Sequence, residues 1–365
     1  MGLQCGIIGV TNTGKTTLFN CLSESKAESS SFAFSSSKSN LGIVNVPDSR
    51  LDRLAELVKP QKVVHATVEI VDIPGLTKGS SKGEGVGNQF LADIRNTDAL
   101  IHVLRCFDDD NLPHIEGSVD PVRDKETVDL ELQVKDLESV EKKILRLEKL
   151  VKAGDKDARH GIEVLQIYRE HLENFQGART APVEEKDRKY IQDLFLLTNK
   201  PVIYVCNVDE SSAVTGNAYV NAVKEAVKDE ETEVMVIAAG LEAEIAELEK
   251  EEDRIAFLED IGLEEPGVNR LVRSAYSMLN LQSFFTAGPK EVRAWTIRKG
   301  MTAPQAAGAI HSDLERGFIR AEMMKFENFD RLGSEHACKE AGKLSLEGKN
   351  YIVEDGDILH IRFNV

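Results

Sequence analysis

The sequence predicts an α/β protein: a doubly wound, mainly parallel sheet, an α-helical hairpin inserted into it, and a small β-rich domain at the C-terminal end. Three observations carry this reading. Short apolar runs at 3–10, 63–73, 99–105, 201–206 and 234–239 alternate with helix-like stretches, as in a sheet covered on both faces. Between 128 and 198 the period changes to heptads. From 281 it changes again, to short strands around one helix. The 365 residues suit two or three domains. The expected division is 1–280, interrupted by the hairpin at 128–198, followed by 281–365.

The first run leads into a helix beginning near Gly14. The run at 63–73 is rich in β-branched residues and reads as one strand. In the hairpin, Leu137, Val140, Ile144, Leu147 and Val151 alternate spacings of three and four, as do Leu165, Tyr168, Leu172 and Phe175. Gly154 and Gly161 fall between the two sets. The first arm is basic toward its tip, at Lys142, Lys143, Arg146, Lys149, Lys152, Lys156 and Arg159. That is either a solvated face braced by Glu138, Glu141 and Glu148 or a surface for RNA or a partner. The acidic stretch 242–254 reads as an exposed helix. In the last region 284–286 and 293–297 read as strands and 302–316 as one helix with Pro304 in its first turn. Residues 351–353, a turn at 354–357, and 358–363 read as a terminal hairpin.

A formal net charge of −17 excludes a surface that coats nucleic acid as a whole; RNA contact requires a local basic patch, and no DNA partner is expected. The five cysteines are scattered, with no CxxC pair, which fits a reducing compartment. The N-terminus shows no basic leader, and no run of about 18 apolar residues exists, so a cytoplasmic protein without a membrane partner is expected.

The chemistry starts at Gly9-Val10-Thr11-Asn12-Thr13-Gly14-Lys15-Thr16, a GxxxxGK[ST] string between an apolar strand and a helix. The two glycines let backbone N–H groups turn toward phosphate oxygens. Lys15 is placed to reach the β and γ phosphates, and the Thr16 hydroxyl to ligate Mg²⁺. The expected nucleotide contacts in the loop are Asn12, Thr13, Gly14, Lys15, Thr16 and Thr17. Directly after the 63–71 run stands Asp72-Ile73-Pro74-Gly75. Asp72 at the strand end suits Mg²⁺, and the Gly75 amide suits a γ-phosphate sensor. The glycine-rich stretch that follows reads as a switch or as a plain flexible loop.

The phosphate loop, the DIPGL string at 72–76, KGEGVGNQFL at 82–91 and the C-terminal region together resemble the YchF/Obg-like ATPase family of translation-factor-class P-loop GTPases. The resemblance covers nearly the whole chain. It implies an Obg-type nucleotide domain, the helical insertion, and a C-terminal TGS domain of ubiquitin-like β-grasp form. It implies ATP used as well as or better than GTP, and association with the ribosome and its RNA. A monomer is expected.

Several positions refine or depart from the family pattern. Leu76 stands where most small GTPases carry the Gln that orients the attacking water. Asn207-Val208-Asp209-Glu210 replaces NKxD, so strict guanine selectivity is not expected; Asn207, Val208, Glu210 and Ala239 are the expected base-side contacts. In the first switch Ser36 takes the position of the Mg²⁺-ligating Thr, with Ser35 and Ser37 as alternatives. Two residues offer to replace the missing Gln. Asn12 suits a K⁺ ion that offsets transition-state charge. His114, in a polar loop leaving a central strand, suits a catalytic proton shuttle beside Lys15. The leading expectation is a slow ATP/GTP-hydrolysing switch acting on the ribosome. A nucleotide-responsive scaffold with negligible hydrolysis and a guanine-specific GTPase are the alternatives.

Overall fold

The computed structural model describes residues 3–24, 40–75, 86–114 and 116–364. The chain divides into two compact units, Met1–Ile43 with Glu69–Leu271, and Val44–Val68 with Val272–Val365. Residues 44–68 therefore join the C-terminal unit, which the sequence pattern had not indicated.

Among the described residues, one six-stranded sheet, all of it in the first unit but for the strand ends Val44–Asn45 and Thr67–Val68, runs in the order Asn40–Asn45, Thr67–Asp72, Gln4–Ile8, Ala99–Arg105, Val202–Asn207, Glu233–Ile237. The pairings from Thr67–Asp72 through Glu233–Ile237 are parallel. Every residue of Ala99–Arg105 and Val202–Asn207 is buried, which is why these strands read as continuous apolar runs. Strand order reverses at Gln4–Ile8, and the phosphate loop leaves the carboxyl end of that strand, where open α/β sheets bind ligands.

The predicted strand at 63–73 is two strands. Lys62–Val64 pairs in parallel with Glu291–Arg298 in the second unit's sheet, while Thr67–Asp72 belongs to the first. His65 and Ala66 separate them. β-branching predicts extended chain, but not which partner an extended segment pairs with.

The hairpin comprises Pro121–Lys152 and Lys156–Glu173, N-capped by Asp120 and Asp155 and joined through Gly154 at φ 90°. At 1.5 Å per residue the first arm is about 48 Å long. Val140, Ile144, Val164, Leu165, Tyr168 and Leu172 form the seam. The first arm starts earlier than the heptads suggested, because Val128 and Leu132 pack into the sheet's own core. Phe175, expected in the seam, is 73% exposed at φ 58°, since the second arm ends at Glu173. Short 3-10 turns occupy 178–199 in place of helix. Lys143 bonds the Tyr190 carbonyl and Asp193; the other six basic residues named above are exposed.

The 242–254 stretch is not simply an exposed helix. It splits into Ala239–Glu247 and Glu251–Ile261. Glu242 is 3% exposed and accepts from the Gly267 and Val268 N–H groups, at 2.7 and 3.4 Å, at the start of helix Gly267–Met278. Its carboxylate meets the helix's free donors and positive end.

In the second unit the order is Ser345–Glu347, Phe318–Lys325, Asp357–Phe363, Leu281–Ala287, Glu291–Arg298, Lys62–Val64. This sheet wraps helix Ala303–Ile310 over a core of Phe284, Ile297, Ala307, Phe318 and Leu359, a β-grasp arrangement. A Thr302/Gln305 capping box starts that helix. The single helix expected to run to 316 is broken, because His311 is extended and a separate turn, Ser312–Arg316, follows. The expected terminal hairpin is also absent among the described residues. Asp357, fully buried, accepts from Glu354 N, Tyr351 Oη and Lys325 Nζ, and this knot redirects the chain. Asp357–Phe363 consequently pairs antiparallel with Phe318–Lys325 and parallel with Leu281–Ala287.

Candidate functional site

The phosphate loop is held from three sides. Gly9 passes so close to Val103 that a Cβ would lie 2.4 Å from its carbonyl oxygen. At Gly14, φ 91°, a Cβ would lie 2.3 Å from the Asn207 amide nitrogen. Only glycine fits either place. Thr13 is fully buried, its hydroxyl donating to the Val10 carbonyl at 3.2 Å. Helix Lys15–Glu24 then begins with no acidic residue in its first turn, leaving its positive end to face an anion.

Lys15 is 7% exposed and donates to the Val10 carbonyl at 2.6 Å. Gly75 lies beside its ammonium: a Cβ there would come within 2.9 Å of Nζ. Burial pushes the Lys15 pKa down to about 8, with Asp72 pulling the other way. The Thr16 hydroxyl donates to Asp72 Oδ2 at 3.2 Å. Burial pushes the Asp72 pKa up, against the opposing effects of Thr16 and Lys15. A hydroxyl and a partly desolvated carboxylate side by side form an all-oxygen donor pair that fits a hard divalent cation. Thr17, also expected as a contact, is exposed on the helix.

Asn207 joins the loop to the next strand end. Its Nδ2 donates to the Thr13 carbonyl and its Oδ1 accepts from Ala239 N, both at 2.9 Å. Val208 is buried in the core, with its backbone N–H on the Ile237 carbonyl. Asp209 accepts from Ser211 Oγ, Ser212 N and Ser212 Oγ, which hold its pKa below the usual carboxylate range, the Ser211 bond foremost. Glu210 is exposed.

Asn12 adopts φ 63°, and its Nδ2 donates to the Pro113 carbonyl at 3.1 Å. The next residue, His114, has a side chain only 3% exposed. Its Nδ1 accepts from Glu116 N at 3.1 Å, so the proton sits on Nε2, which donates to Asp124 Oδ2 at 2.8 Å. Both ring nitrogens are engaged in these bonds. The structure therefore brings together Asn12, Thr13, Gly14, Lys15, Thr16, Asp72, Gly75, Asn207 and Ala239. It sets Thr17, Val208 and Glu210 apart. Ser36, with Ser35, Ser37 and Leu76, lies outside the described residues.

Sequence reasoning missed Arg105 and Asp124. Arg105 had a signal, a cation ending an otherwise buried strand. Asp124, in the first turn of a long helix, had none.

A phosphate loop at the switch point of a parallel sheet, with a Thr–Asp pair beside it, defines a P-loop nucleoside-triphosphate-binding protein. Residues 4–153 match a family described as a 50S ribosome-binding GTPase, and residues 281–364 match the YchF GTPase C-terminal family, described as a protein of unknown function. The Ribosome-binding ATPase YchF of Haemophilus ducreyi is 49% identical over 365 residues, and that of Bacillus subtilis 50% over 367, each covering all of both chains. The structure of the Schizosaccharomyces pombe YchF GTPase is 34% identical with a TM-score of 0.88, covering 99% of this chain and 98% of that one. The chain belongs to the YchF family. Among the described residues no helix is long and apolar enough to cross a membrane.

Proposed function

We propose that this chain hydrolyses ATP, with GTP as a secondary substrate, and uses the nucleotide state to control binding to the ribosome and its RNA. The observation that carries the reading is the Lys15–Thr16–Asp72 arrangement beneath a glycine-tightened loop at a helix N-terminus. Lys15 would neutralise the β and γ phosphates. Thr16 and Asp72, with Ser36 by family resemblance, would hold Mg²⁺, which would offset the negative charge of the phosphates. With Asn12 Nδ2 on Pro113, its Oδ1 is the atom left to offer K⁺. The adenine preference is supported by the departures from NKxD: Val208 is buried and carries no polar group, Asp209 stands one place early and is engaged by serines, and Glu210 stands where a shorter Asp would read guanine. Ribosome binding comes from what the relatives are named for. A cytoplasmic monomer fits the composition and the basic hairpin arm.

Phosphate release from ATP and GTP, with and without ribosomes, tests this reading. Turnover of ATP at least equal to that of GTP, accelerated by ribosomes, is the expected result. GTP binding tenfold or more tighter than ATP would sink it. The engaged ring of His114 favours a second reading, a nucleotide-responsive scaffold, which predicts negligible turnover in both conditions.

A further inference from the structure

Arg105 ends strand Ala99–Arg105 and is 1% exposed. Among the described residues no carboxylate lies within ion-pair distance of it. A buried cation is tolerated only when its donors are met. Here one loop meets three of its five, one at each nitrogen. Nε donates to the Phe107 carbonyl at 3.1 Å, Nη1 to the Leu112 carbonyl at 2.8 Å, and Nη2 to the Asp109 carbonyl at 3.3 Å. The guanidinium also lies 4.8 Å from the Phe107 ring centre. The start of this loop has other ties: Asn217 Nδ2 on the Cys106 carbonyl, and Tyr219 Oη on Asp108. Its far end, at Leu112, is held from the strand by Arg105. The next residue, Pro113, supplies the carbonyl that receives Asn12 of the phosphate loop.

The geometry points to Arg105 as a positioning residue for nucleotide hydrolysis. It fixes the loop 107–113, the loop fixes Asn12 through Pro113, and Asn12 fixes its stretch of the phosphate loop. Arg105 itself is turned to the loop, with each guanidinium nitrogen on a loop carbonyl. Its planar fork reaches three carbonyls at once, which a lysine's single ammonium does not reproduce.

The test is a double-mutant cycle on basal ATP turnover of the full chain without ribosomes. Arg105→Lys loosens the loop. Phe107→Leu, at a half-buried position, removes the ring beneath the guanidinium while keeping the Arg105 side chain and its three carbonyl acceptors, and stands in should Arg105→Lys fold poorly. Asn12→Gly removes the amide while tolerating φ 63°. Arg105→Lys is expected to lower kcat about tenfold and Phe107→Leu about threefold, with KM for ATP moved less than about threefold. In the Asn12→Gly background both losses shrink to within about 1.5-fold, because the link they act through is already gone. Losses that multiply in that background, or unchanged kcat in both single variants, overturn the proposal. The inference rests on the chain being a hydrolase. Were the unaltered chain to show no turnover, that reading would fail and this one with it, whereas normal turnover with losses that multiply in the Asn12→Gly background would overturn the role of Arg105 alone.

Discussion

The side-chain amide of Asn12 donates to the carbonyl of Pro113 at 3.1 Å, across 101 positions of sequence. This bond ties the phosphate loop to the residue before His114, so the two groups nominated to replace a water-orienting Gln share one structural link. It also turns Asn12 Oδ1 away from Pro113, and that is the atom the proposed K⁺ would meet. Turnover in K⁺ should exceed that in Na⁺, and Asn12→Gly should erase the difference. Equal rates in both salts would remove the cation from the mechanism.

For the proposed catalytic role, His114 would have to break its present bonds to meet a water at the γ phosphate. His114→Ala should lower kcat by about 10²-fold or more while ATP affinity, by calorimetry, stays within about threefold. Asp124→Asn keeps the shape but weakens the hold on Nε2–H. If the ring acts after release, Asp124→Asn does not slow turnover. A loss equal to that of His114→Ala would mean that the engaged pair is itself the working arrangement.

Asn207 was expected to read the base, yet both ends of its amide link backbone, from Thr13 to Ala239. Asn207→Asp sets a carboxylate oxygen against the Thr13 carbonyl, an acceptor facing an acceptor. Affinities for ATP and GTP should fall together by about tenfold or more, measured side by side by calorimetry. Selective loss of one nucleotide would restore Asn207 to base recognition.

Much of this site was legible because its constraints are local. A glycine that must pass under Val103, a lysine at a helix start, and an aspartate at a strand end all fall within short strings. The parallel sheet was legible because strands buried on both faces leave continuous apolar runs. What escaped depends on partners that no short string names. Nothing near Arg105 announces three carbonyls of the following loop as its acceptors, and nothing near Glu242 announces the helix at Gly267. The run at 62–72 carries one composition but pairs in two sheets, a choice made by distant strands.

Glu242 makes a second helix's N-terminus possible inside the core. Glu242→Ala leaves the Gly267 and Val268 N–H groups without their acceptor and should cost about 2 kcal/mol. Glu242→Gln keeps one acceptor oxygen and should cost less than half of that. Urea denaturation of the three proteins measures both. Equal losses would show that the negative charge, rather than the acceptor, is what the helix start requires.

His102 gives the fold a pH dependence that can be read without nucleotide. It lies on the central strand, 1% exposed and 5.6 Å from the Tyr204 ring, with Lys125, Lys15 and Arg179 as the charged groups acting on it. Burial foremost, then those cations, push its pKa from 6.5 down to about 3. In the native state the ring therefore stays neutral as pH falls through 6.5, while in the unfolded chain it takes up a proton. The unfolded state binds more protons between pH 6.5 and about 3, so stability falls as pH falls through that window. At pH 5 the loss relative to pH 7.5 amounts to about 2 kcal/mol from this one residue. His102→Leu lacks a titrating group there, and every other group titrates alike in both proteins. The stability difference between variant and parent, from urea denaturation followed by far-ultraviolet circular dichroism, should shift by that amount in favour of the variant between pH 7.5 and 5. A difference independent of pH would mean that His102 reaches water and titrates as an ordinary histidine.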